Sequence, residues 1–90
     1  MNDVNWTDEA LDQLAVIYVE AEPRDRNDIT DVTAAIDAVL AAEGDSAGES
    51  RGANGRIYFH AMLVVLFAVE PGHVFVTEVR ANRRRPRAGA

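Results

Sequence analysis

Arg56, Tyr58 and His60 alternate along five residues, so an extended backbone there lines up a guanidinium, a phenol and an imidazole on one face. Arginine grips phosphate or carboxylate through paired N–H groups, and a histidine side chain changes charge near neutral pH. Together the three would make a phosphate-binding strip with a general acid/base beside it. They equally suit an ordinary strand face at the margin of a sheet. Arg51 and Arg56 flank a glycine-rich loop that could hold an anion or pair with nearby carboxylates, but the loop has neither a P-loop lysine nor nucleotide-type glycine spacing. Further on stand Arg80, Arg83, Arg84, Arg85 and Arg87, a basic run suited to nucleic acid or an acidic partner, or simply solvated.

Other chemistries find no support. Cysteine is absent, which excludes thiolate metal sites, disulfides and a cysteine nucleophile. His60 and His73 stand apart without clustered carboxylates, so neither a metal site nor a cofactor is expected. Ser46 and Ser50 lie in a loop with nothing to orient a base beside them.

The charges are segregated. Residues 1–50 carry two Arg against thirteen Asp/Glu, a balance of −11, and residues 51–90 carry seven Arg against two Glu, a balance of +5, which together give the chain its −6. The acidic half reads as solvated helix faces, the basic half as the place to look for an anionic target. Every basic side chain is Arg and none is Lys, a bias that phosphate recognition or genomic GC content would each produce.

Ninety residues make one small domain, here residues 1–82, with an Arg-rich tail at 83–90. The first residues lack the basic and apolar regions of a secretory signal, and the apolar run at 57–69 is shorter than the ~20 residues that span a bilayer. A cytoplasmic location with no membrane contact is the expectation. Residues 4–6 read as a short strand. Thr7 suits a helix N-cap, followed by a stripe of Leu11, Leu14, Ala15 and Tyr18 widened by Ile17. Pro23 ends that helix, and a second fits residues 28–42 with Ile29, Val32, Ile36, Val39 and Leu40 inward. Residues 43–55 read as a loop. Strands are expected at 56–60, 63–69 and 74–80, with a tight connection at Ala61-Met62 and a Pro71-Gly72 turn. The fold class is therefore α+β in the order β-α-α-β-β-β, a helical hairpin packed on one face of a small twisted antiparallel sheet.

The strand at 63–69 carries apolar residues on both faces. Leu63, Val65, Phe67 and Val69 share one, and Val64, Leu66 and Ala68 the other. Two helices cover only one face, so Val64, Leu66 and Ala68 are expected to meet a partner chain or a second copy of this one.

Residues 4–18 (Val-Asn-Trp-Thr-Asp-Glu-Ala-Leu-Asp-Gln-Leu-Ala-Val-Ile-Tyr), the loop Gly48-Glu49-Ser50-Arg51 with Arg56-Ile-Tyr-Phe, and the hydrophobic hairpin at 63–80 resemble RelE/ParE-type toxins of bacterial type II toxin–antitoxin pairs. The resemblance extends over residues 4–85. It implies a helical hairpin on an antiparallel sheet and a cognate antitoxin that wraps the sheet and helices. Its members cleave messenger RNA on the ribosome or poison DNA gyrase. Carried over residue by residue, an active ribonuclease would use Arg56, Arg80 and Arg83 with Tyr58 or His60 in proton transfer, without a metal, and Arg51, Arg84 and Arg85 would contact target phosphates. The chain departs from the ribonuclease pattern at the family's third-strand arginine, where Val64 stands, and the C-terminal His-Tyr pair of some members is replaced by Arg-Pro-Arg-Ala-Gly-Ala. Those departures tilt the expectation toward a binding-type toxin. The alternative is a catalytically degenerate, non-toxic interaction domain that dimerises or binds a partner through its second sheet face.

Overall fold

Thr7 stands between an extended segment and a helix in the computed structural model, which describes residues 1–82. Its side-chain oxygen accepts from the Ala10 N–H at 3.2 Å, satisfying one of the four unpaired donors at a helix start, and Asp8 and Glu9 follow in the first turn. Strand β1 (Asp3–Trp6) therefore gives way at once to helix α1 (Asp8–Glu20). A 3-10 turn, Pro23–Asp25, leads into helix α2 (Arg26–Glu43). The second helix begins two residues before the expected position because this turn runs straight into it. Its first residue also closes the preceding helix: Arg26 donates from Nε to the Tyr18 carbonyl and from Nη2 to that of Val19, each at 3.1 Å.

Gly44, at φ 34°, caps α2, and the Leu40 carbonyl accepts its N–H. The loop that follows contains a two-residue strand, β2 (Glu49–Ser50), before β3 (Gly55–His60), β4 (Leu63–Glu70) and β5 (His73–Ala81). Strand β2 was not foreseen, since two residues give no alternation to read.

The sheet order is β1-β5-β4-β3-β2, with β1 parallel to β5 and every other pair antiparallel. The α+β class and helical hairpin hold. The sheet itself is mixed, because two helices separate β1 from the strands it joins and so permit a parallel pairing that no tight turn could make. A bulge at Thr77 lets Leu66 face Glu78 while Phe67 faces Val76.

Leu63, Val65 and Phe67 from β4 and Val74, Val76 and Val79 from β5 form the core with Ala10, Ile36, Leu40 and Ala47. The small Ala10, fully buried, sits where α1 meets the core, and Gln13 Oε1 accepts the Val79 N–H at 2.7 Å, beyond the point where β1 stops pairing with β5. The inward stripe of α1 is Ala10, Leu14 and Ile17: Leu14 and Ile17 turn inward as expected, Ala10 joins them, and Leu11, Ala15 and Tyr18 of the expected stripe face outward. An apolar helix with two candidate stripes can bury only one against a sheet, and the outer one remains in solvent. No helix among the described residues is long and apolar enough to cross a membrane.

Candidate functional site

Strand β3 presents Arg56, Tyr58 and His60 on one face, as alternation requires. They pair across the ladder with Phe67, Val65 and Leu63, so they share the face on which the helices pack. The Tyr58 hydroxyl lies 3.1 Å from His60 Nδ1, and the two rings are 5.8 Å apart. Arg56 has a local task. Its Nε donates to the Ala47 carbonyl at 2.7 Å and its Nη2 to that of Gly48 at 3.0 Å, which holds the loop before β2 against the strand. That approach depends on Gly48: φ is 64°, and a Cβ there would sit 2.1 Å from the Ile57 carbonyl oxygen.

The remaining arginines lie elsewhere. Arg80 is opposite Val64 in the β4–β5 ladder and hence on the other side of the sheet from Arg56, Tyr58 and His60. It pairs with the Glu78 carboxylate two residues away. Arg51 is exposed and pairs with Glu49 at 3.4 Å. Arg83, Arg84 and Arg85 fall outside the described residues. The structure therefore brings together three of the candidates, Arg56, Tyr58 and His60, and separates Arg80 from them by the thickness of the sheet. Among the described residues no cluster of His, Cys, Asp or Glu could hold a metal ion.

On the second face, Val64 is only 7% exposed, flanked in the ladder by Phe59 and Arg80. Leu66 and Ala68 are half-buried, with Ile57 and Phe75 beside them. The open apolar surface there belongs chiefly to Phe59, 43% exposed. Phe59 was overlooked in the sequence, though its place between Tyr58 and His60 puts it on the opposite face by alternation alone.

A second surface arises from the outer stripe of α1. Leu11, Tyr18 and Val19 are exposed and line a groove of about 680 Å³ between the helices, together with the more buried Leu14, Ile29 and Trp6. Trp6 is held by a 2.9 Å hydrogen bond from its Nε1 to Asp37 Oδ1. The groove is apolar, and it lies in the half of the chain whose balance is −11. Its signal in the sequence was the surplus of apolar residues on α1, more than one face can hold.

No family model and no curated protein matches the chain. Among solved structures, it is similar to a chain of the chromosomal ParDE TA system from P. aeruginosa. The TM-score is 0.72 at 18% identity, over 90% of this chain and 96% of that one. At that identity the likeness establishes the architecture: this chain has a RelE/ParE-like α+β fold.

Proposed function

We propose that the chain is the toxin component of a toxin–antitoxin pair, neutralised by a cognate antitoxin. The observation that carries this reading is the structural similarity to a chain of a ParDE TA system along almost the full length of both molecules. The open groove between α1 and α2 supports it. An amphipathic segment with apolar anchors and flanking Arg or Lys would complement an apolar trough set in an acidic half. The second sheet face, with Phe59, Leu66 and Ala68 partly open, offers the antitoxin a further contact, or a second copy of this chain in its place.

For the mode of action we favour a binding-type toxin that docks on a large target such as DNA gyrase. Arg80 and the β3 strip lie on opposite sides of the sheet, Arg56 already holds two loop carbonyls, and Val64 stands where the resemblance puts the family's third-strand arginine. Guanidinium groups so divided do not converge on one phosphate. The close approach of Tyr58 and His60 supports the second reading, ribosome-associated cleavage of messenger RNA, in which that pair would move the proton and Arg56 would bind phosphate.

Induced expression in a bacterium, with and without the neighbouring small reading frame, tests the reading. Growth arrest relieved by the neighbour is expected; normal growth in both cases would leave a non-toxic interaction domain. Gyrase supercoiling assays and mapping of A-site cleavage then separate the mechanisms. Loss of toxicity in a folded His60→Gln variant would select the ribonuclease.

A further inference from the structure

The ion pairs among the described residues all stand around the sheet face that the helices leave open. Arg51 pairs with Glu49 at 3.4 Å, Arg80 pairs with Glu78, and His73 Nδ1 lies 3.9 Å from Asp3 Oδ2, a pair formed when the imidazole is protonated. The ladder fixes their side of the sheet. Glu49 is opposite Ile57, Glu78 and Arg80 are opposite Leu66 and Val64, and His73 is opposite both Asp3 and Glu70. Inside this rim lie Ile57, Phe59, Val64, Leu66, Ala68 and Phe75. An apolar centre with a charged rim is the make-up of a protein–protein interface.

Charge says which partner suits it. Residues 7–47, which hold both helices, carry eleven Asp/Glu against Arg24 and Arg26, and none of these groups is in an ion pair among the described residues. Two copies meeting through their helices would set one acidic layer against another, whereas a basic partner is drawn there. On the open sheet face, Arg51 with Glu49 and Arg80 with Glu78 cancel locally. A second copy can approach this side without that repulsion.

The face is also polarised along β4. Arg80 stands at one end, beside Val64, and uses only its Nε on Glu78; its Nη groups have no partner among the described residues. Glu70, likewise unpartnered among them, stands six residues further along β4, roughly 20 Å away, with Asp3 and His73 beside it. A two-fold axis lying in the interface and crossing the strands turns the second sheet end for end. Each Arg80 then meets the Glu70 end of the other copy, and the apolar centres stack. A two-fold along the strands would set Arg80 against Arg80.

We propose that the chain forms a homodimer through this face, sheet on sheet, with Phe59 and Leu66 in the centre and Arg80 paired to Glu70 of the other copy at both ends. Five strands about 4.8 Å apart and the length of β4 make a face of roughly 20 by 27 Å, so the dimer buries on the order of 1,000 Å² in total, the lower end for specific association. It is therefore weak and concentration-dependent. The grooves between α1 and α2 remain on the two outer sides, free for another partner. The dimer requires neither a toxin function nor an antitoxin.

Light scattering and sedimentation of the full chain alone, from micromolar to near-millimolar concentration, test it, with circular dichroism confirming that each variant is folded. A dimer is expected at the upper end of that range. Phe59→Lys, at an exposed position, should weaken it by about tenfold. Arg80→Glu and Glu70→Arg should each weaken it several-fold, and mixing these two variants should restore association, because their heterodimer regains opposite charges at both ends. Leu11→Glu/Val19→Glu, in the groove, should dimerise as wild type does. A chain that stays monomeric throughout would overturn the proposal, as would a dimer that survives Phe59→Lys but is lost in Leu11→Glu/Val19→Glu. A mixture that associates no better than either variant alone would overturn the end-for-end arrangement. Protection of Phe59 from hydrogen exchange only on adding the neighbouring gene's product would give the face to that partner and likewise overturn the dimer.

Discussion

Arg56 illustrates how a residue chosen for chemistry acquires a structural duty. Its guanidinium bridges two backbone carbonyls of the loop at Ala47 and Gly48, and Ala47 belongs to the core. A charged donor bonded to a partly buried carbonyl, here that of Ala47, stabilises by about 1.5–3 kcal/mol, and removing it leaves that acceptor unpaired, while the exposed Gly48 carbonyl turns to water. Arg56→Ala should therefore lower unfolding free energy by about that much in urea titration. Arg51→Ala, which removes only an exposed 3.4 Å pair with Glu49, should change it by less than about 1 kcal/mol. The contrast matters for function. Lost toxicity in Arg56→Ala would report on the site only after stability has been measured.

At the level of elements, β4 decides how the two sheet faces differ. Phe67 is 2% exposed and packed in the core, while Phe59, opposite Val64 on β3, is 43% exposed on the uncovered face. Truncating the first leaves a cavity and the second does not. Phe67→Ala is expected to cost about 3–5 kcal/mol in chemical denaturation. Phe59→Ser should cost less than about 1 kcal/mol, and it should weaken binding of any chain that covers this face, read by calorimetry with the neighbouring gene's product. If Phe59→Ser binds as well as wild type, the second face is not part of the interface. Val64 is a poor reporter, because ladder neighbours already enclose it.

For the whole molecule, the question is where a partner would seat. The acidic half presents an apolar groove between α1 and α2, and the second sheet face presents a flatter apolar area. Acid substitutions at exposed groove positions alter the partner surface without touching the core. Leu11→Glu/Val19→Glu should remain folded, with a melting temperature within a few degrees of wild type, and arrest growth even when the neighbouring gene is present. Rescue that persists in that variant would remove the groove from the interface. The net charge of −6 bears on the target as well. Long-range repulsion from the acidic half slows encounter with polyphosphate at low salt, which fits docking on a protein target better than unaided RNA binding.

Local pattern carried much of this molecule. Alternation placed Arg56, Tyr58 and His60 on one face and both apolar rows of β4 in their registers. Thr7, Pro23, Gly44 and Pro71-Gly72 marked where elements begin and end, because capping and turn geometry depend on adjacent residues. Helix α1 had more apolar residues than one stripe holds, so which of them would turn inward (Leu14 and Ile17 with Ala10) and which would stay outside (Leu11, Ala15 and Tyr18) was decided only when it met the sheet. The parallel pairing of β1 with β5, the burial of Val64 and the placing of Arg80 across the sheet from Tyr58 and His60 all depend on strand order. Strand order is a long-range property, settled by which apolar surfaces can be buried together, and no short window of sequence contains it.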